Sequence, residues 1–215
     1  MKLIIGNKKY SSWSLRPWIA MTVKGVEFEE ELSKFDHSTT PYHKHFWDFS
    51  PTKMVPVLKA NDATIWDSLA ILEYLAECFP EHEFWPRDKM ARAHARAVSS
   101  EMHSGFFALR NECPMNMARP SKAIQVTGEC RADITRIEAL FSDCFDQYGG
   151  PFLFGEFCIA DAMYAPVVNR MRTYQLSDHP AAIRFCETIE ALTAWQDWQT
   201  AGKAEPWICE IAEVA

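Results

Sequence analysis

Residues 79–88 read FPEHEFWPRD, and the hydrophobic pattern on one side of this stretch cannot be continued on the other. Two prolines and mixed charge within it break helix and strand alike, so it predicts a boundary. Before it, short apolar runs rich in branched residues (2–6, 28–32, 55–59 and 63–66) predict strands. Between them, Leu15, Trp18, Ile19, Thr22 and Val23 share one helical face, and Leu69, Leu72, Leu75 and Ala76 share another. After the boundary, strand signals nearly vanish. Helical spacing runs through 90–111, 121–148, 159–174 and 180–195, interrupted at Pro114, Pro120, Gly149-Gly150 and Pro180. The expectation is an α/β unit with a small sheet over 1–79, a linker over 80–88 and an all-helical bundle over 89–215.

Charge and cysteine usage narrow the function. A net charge of −7 and no block of consecutive Lys or Arg speak against a nucleic-acid footprint or attraction to anionic membranes. Leu3-Ile4-Ile5 is too short for a signal-peptide core, and no later run approaches a membrane span, so a cytoplasmic protein is expected. The seven cysteines are widely spaced with no C-x-x-C pair, which predicts mostly buried, reduced thiols. His37, His43 and His45 cluster in a polar segment with no thiol nearby, unlike the paired spacings of structural zinc sites, and no metal is expected.

KYSSWSLRPW, residues 9–18, places hydroxyls just before a helix. Pro17 lacks an N–H and fits a helix best in its first turn, which puts the helix start near residues 12–14 and makes one serine a cap. The same position favours an anion, because a hydroxyl and a helix N-terminus can together stabilise a thiolate. Lowering a thiol pKa of ~8.5 by two units corresponds to roughly 2.7 kcal/mol and makes it mostly thiolate at pH 7. Likewise Asp67 or Ser68 caps the second helix, and its N-terminus could receive a carboxylate. Pro56 heads a strand and could be cis or trans.

Four segments resemble the cytosolic glutathione transferases in order and spacing. SSWSLRPWIAM (11–21) is similar to the S-S-C/A-S-x-R-V-R-I-A-L signature of the zeta class, and SPTKMVPVL (50–58) to N-P-x-x-x-V-P-x-L. DSLAILEYL (67–75) is similar to E-S-x-A-I-x-x-Y-L, and WPRDKMARAHAR (85–96) to the family's entry into its second domain. SEMHSGF (100–106) resembles the E-L-H-x-x-F stretch of the bacterial beta class, and FCIADAMYAPV (157–167) the family's S/T-I-A-D helix start, with Cys158 in the hydroxyl's place. That replacement predicts a half-formed capping box in which Asp161 is structural.

The resemblance implies a thioredoxin-like N-terminal domain, an all-α C-terminal domain and glutathione as co-substrate. It implies a cis Val55-Pro56 bond whose Val55 backbone pairs with the cysteinyl unit, and Asp67 and Ser68 as the γ-glutamyl clamp. By the same resemblance Ser11 stabilises the thiolate, with Ser12 second and Tyr10 third, and His103 lies beside the sulfur. Phe106, Phe107 and Arg110 border the electrophile pocket, and the protein is a homodimer. Trp13 and Pro17-Trp18 depart from the zeta signature. The first expectation is therefore conjugation of glutathione to small apolar electrophiles. A glutathione-dependent isomerase of the maleylacetoacetate type and a non-enzymatic binding protein are the alternatives.

Overall fold

The computed structural model describes residues 1–34 and 48–214, so the expected histidine cluster at His37, His43 and His45 lies outside the described residues. Four strands form one sheet in the order β2-β1-β3-β4, where β1 is Lys2–Ile5, β2 Glu29–Leu32, β3 Val57–Ala60 and β4 Ala63–Trp66. β1 runs parallel to β2, with Lys2 opposite Glu29, and the two are joined through helix α1 (Ser12–Val23). β3 is antiparallel to β1 and β4 to β3, and helix α2 (Ser68–Cys78) follows. This is the expected thioredoxin-like arrangement. β2 sits at the sheet edge with its Glu29-Glu30-Glu31 run exposed, a charged margin that discourages pairing with another chain.

The helical part comprises α3 (Lys89–Ser104), α4 (Phe107–Glu112), α5 (Gly128–Tyr148), α6 (Ile159–Tyr174), α7 (Pro180–Glu190) and α8 (Thr193–Ala204). α6 is its axis: every residue except Arg172 is buried, and α1, α3 and α7 pack around it. Trp198 of α8 meets Trp18 of α1 with ring centroids 5.1 Å apart, so the sheet-bearing part and the helices share apolar contacts. No described helix is long and apolar enough to cross a membrane. Five of the seven cysteines are buried free thiols, as expected.

Several expected elements are redrawn by local chemistry. β3 starts at Val57 rather than residue 55, since Pro56 has no N–H to give a ladder. The helix expected over 90–111 ends at Ser104. Gly105 leaves the helical conformation, and a Cβ there would lie 2.8 Å from the Glu101 carbonyl oxygen. The helix expected from 121 starts at Gly128, because Lys122 instead gives its N–H to the Thr173 carbonyl at 2.8 Å and Thr127 caps Cys130. The helix expected over 180–195 is two, α7 and α8, the second running nine residues past Trp195. Pro17 lies in the second turn of α1, not the first, and leaves the Trp13 carbonyl without its usual helical donor. The capping box at α6 has both halves: the Cys158 thiol takes the hydroxyl's place facing the Asp161 N–H, and Asp161 accepts from the Cys158 N–H at 2.9 Å.

Candidate functional site

Val55, Pro56, Asp67, Ser68 and His103 come from three separate segments and line one cavity of about 370 Å³. The Val55-Pro56 peptide is cis and sits on the cavity wall just before β3. Trp13, Met54 and Trp66 complete the apolar side of the cavity. None of these three was marked as a site residue from sequence. For Trp13 the departure from the zeta signature was the available signal.

Asp67 is the N-cap of α2 with φ 74°, a region that side-chain-bearing residues occupy at a cost of about 1–3 kcal/mol. Its Oδ1 accepts from the N–H groups of Leu69 and Ala70 at 2.9 and 3.2 Å. Its other oxygen, Oδ2, lies 3.3 Å from Nε2 of His103. One carboxylate thus caps the helix and faces the cavity at once. Next to it, the Ser68 hydroxyl is buried with no hydrogen-bond partner in the protein. An unpartnered buried hydroxyl at a helix N-terminus fits a carboxylate ligand, because its desolvation is otherwise uncompensated. Nδ1 of His103 is likewise buried without a partner, and its ring meets Trp13 edge-on at 5.4 Å.

The hydroxyls of the two serines have different surroundings. Ser11 is the N-cap of α1: its Oγ accepts from the Ser14 N–H at 3.3 Å and donates to Ser14 Oγ at 2.8 Å. Ser14 Oγ in turn accepts from the Gly6 N–H at 3.0 Å, so the Ser11 hydroxyl is committed to a local network. Ser12, the first residue of the helix, is buried, and its hydroxyl makes no hydrogen bond among the described residues. Neither serine is among the cavity's lining residues, whereas the next residue, Trp13, is. Tyr10 points elsewhere. Its hydroxyl donates to Glu213 at 2.7 Å, and burial together with that carboxylate holds the phenol well above its ordinary pKa. Of the residues expected to border an electrophile, Phe106 is buried against Tyr164 and Phe107 is exposed. Arg110 holds its guanidinium 4.8 Å from the Trp13 ring centroid but is not among the cavity's lining residues.

Comparison with known proteins agrees with this arrangement. Residues 10–78 match the family model described as glutathione S-transferase, N-terminal domain. The chain is 30% identical over 190 residues to maleylacetoacetate isomerase of Rattus norvegicus, covering 86% of this chain and 87% of that one. It is 29% identical to glutathione S-transferase Z2 of Arabidopsis thaliana, over 88% and 89% of the two chains. Among solved structures, a Burkholderia glutathione transferase homolog with bound glutathione superposes with a TM-score of 0.73 at 23% identity, over 95% of this chain and 98% of that one.

Proposed function

This chain belongs to the cytosolic glutathione S-transferase family, and we propose that it is a glutathione-dependent cis-trans isomerase of an unsaturated diketo acid of the maleylacetoacetate type. The observation that carries this reading over conjugation is the 30% identity to the rat isomerase along 86% of the chain. It reverses the order expected from the departures at Trp13 and Pro17-Trp18.

In this reading, the Val55 backbone pairs with the cysteinyl unit of glutathione, Asp67 holds the γ-glutamyl ammonium, and the Ser68 hydroxyl and the N-terminus of α2 take the γ-glutamyl carboxylate. When bound, glutathione supplies a thiolate that adds reversibly to the conjugated double bond, lets it turn, and is released unconsumed. Ser12 is the residue we assign to the thiolate, because the Ser11 hydroxyl already has its acceptor in Ser14. His103 lies next to Asp67 and Trp13 and positions the polar edge of the site. Conjugation to an apolar electrophile is the second reading, favoured by the wall of Trp13, Met54 and Trp66. The protein acts as a cytoplasmic homodimer in either case.

The two readings separate by counting thiols. With a cis diketo acid and a limiting amount of glutathione, isomerisation turns over many substrate molecules and leaves the free-thiol count unchanged. Loss of one thiol per product rejects it in favour of conjugation. Titrating the ultraviolet thiolate absorbance of bound glutathione in the two serine variants tests the site: Ser12→Ala raises the thiol pKa, and Ser11→Ala leaves it in place while costing about 0.5–2 kcal/mol of stability through the lost cap.

A further inference from the structure

A second cavity, of about 580 Å³, lies where the start of α5, the end of α6 and the start of α7 meet. It shares no lining residue with the glutathione cavity, and its size falls in the ~300–1,000 Å³ range of small-molecule sites. Met171, Leu176 and Cys186 on its wall are buried, with Ile183 beside them. Burial pushes the Cys186 thiol up to about 12, so it is a neutral part of this apolar side and no nucleophile.

Most polar groups around this cavity already have partners. Arg172 pairs with Glu190 at 2.9 Å, and the Ser177 hydroxyl donates to the Glu138 carboxylate. The Ser121 hydroxyl donates to the Arg172 carbonyl at 2.7 Å and accepts from Gln175 Nε2 at 3.3 Å. Two charged residues differ. Arg131 gives its Nη1 to the Leu176 carbonyl at 2.7 Å, and the rest of its guanidinium has no hydrogen-bond partner or ion pair among the described residues. The Asp178 carboxylate also lacks both among the described residues, and the two charges do not pair with one another.

The bond to Leu176, itself a wall residue, anchors the Arg131 guanidinium at the cavity and leaves its other nitrogens for the two oxygens of a carboxylate. A plain organic acid is repelled by Asp178 and a plain amine by Arg131, whereas a molecule carrying both charges satisfies both walls. Charges lining a concave site act more strongly than charges on an open surface, because a ligand displaces the water that screens them. We infer that this cavity binds a free α-amino acid with an apolar side chain. Arg131 takes the carboxylate, Asp178 takes the ammonium, and the side chain lies on Met171, Leu176 and Ile183. The site is separate from the glutathione clamp and does not depend on the isomerase reading.

The test is calorimetry with L-leucine as the probe, on the full chain without glutathione. Leucine is expected to bind saturably with a Kd of about 1 mM or tighter, and N-acetylleucine and leucinamide, each lacking one charge, at least about tenfold more weakly. Arg131→Gln and Asp178→Asn are each expected to weaken leucine binding at least about tenfold. Asp178→Asn is expected to melt within about 2 °C of the wild type, since its carboxylate has no partner to lose, so a change in its binding is not a folding defect. Leucine carries the same two charges as the γ-glutamyl end of glutathione, and Asp67 is therefore the rival place for it to bind. An affinity unchanged in either variant assigns the leucine elsewhere and overturns the site. N-acetylleucine bound as tightly as leucine overturns the zwitterion in favour of a simple acid, and the absence of saturable binding up to about 10 mM overturns the proposal outright.

Discussion

At the scale of single residues, the site is built from groups whose local interactions are incomplete. Asp67 adopts a left-handed backbone conformation that glycine tolerates without strain, so Asp67→Gly separates stability from binding. Glycine replaces a cap at a cost of only a few tenths of a kcal/mol, while relief of strain contributes about 1–3 kcal/mol. The variant is expected to melt at the same or a higher temperature and to bind glutathione at least tenfold more weakly by calorimetry; an ordinary loss of stability would show that Asp67 is only a cap. The sequence made Asp67, Ser68 and the Val55-Pro56 pair legible because caps and strand-entry prolines carry local signatures. That the Ser11 hydroxyl is taken up by Ser14 was not legible, since the cap position turns on a helix start that a sequence fixes only to within a residue or two. The burial of Arg16 was not legible because an arginine in an amphipathic helix reads as solvent-facing. Its one warning was that Ile19 and Ala20, three and four residues on, belong to the buried face.

Among elements, α6 shows how one buried carboxylate holds a helix start. Asp161 accepts from the N–H groups of Leu153 and Cys158, both at 2.9 Å, and burial still pushes its carboxyl up to about 6. That lies above the ~3.9 of an aspartate in an unfolded chain, so between the two values the folded protein binds the extra proton. The group's contribution is therefore fully present below about pH 4 and is lost as pH rises through about 6, by at most about 3 kcal/mol. Melting temperature against pH is expected to show this fall in the wild type and not in Asp161→Asn. That substitution also leaves one buried N–H facing the amide NH2 without an acceptor, at a cost of about 1–3 kcal/mol. The location of α6 was legible because its start signal survives the exchange of hydroxyl for thiol. The break between α3 and α4 was not, because Gly105 alone does not reveal that the chain turns extended there and brings its backbone against the Glu101 carbonyl.

For the whole molecule, the loop that leads into α1 is held from the far end of the described chain. The Glu205 carboxylate accepts from the N–H groups of Lys8 and Lys9 at 2.8 and 3.0 Å, and Lys9 Nζ donates to the Glu205 and Trp207 carbonyls. Gly202 of α8 lets this approach happen: a Cβ there would stand 3.1 Å from the Lys8 and Lys9 backbone. Glu205→Ala is expected to cost about 1–3 kcal/mol and to weaken glutathione binding, as read by melting temperature and calorimetry. Unchanged glutathione affinity would show that the loop keeps its shape without the clip. Pairing at this sequence separation leaves no periodic signature, so the two-part organisation could be read from the pattern but this clip could not. The clip also has a consequence for biosynthesis. During translation at ~5–20 residues per second, the residues that fasten the segment around Lys8 and Lys9 follow it by roughly ten to forty seconds. The loop before α1 is thus made well before the residues that secure it, so its final shape waits on the synthesis of α8 and Glu205.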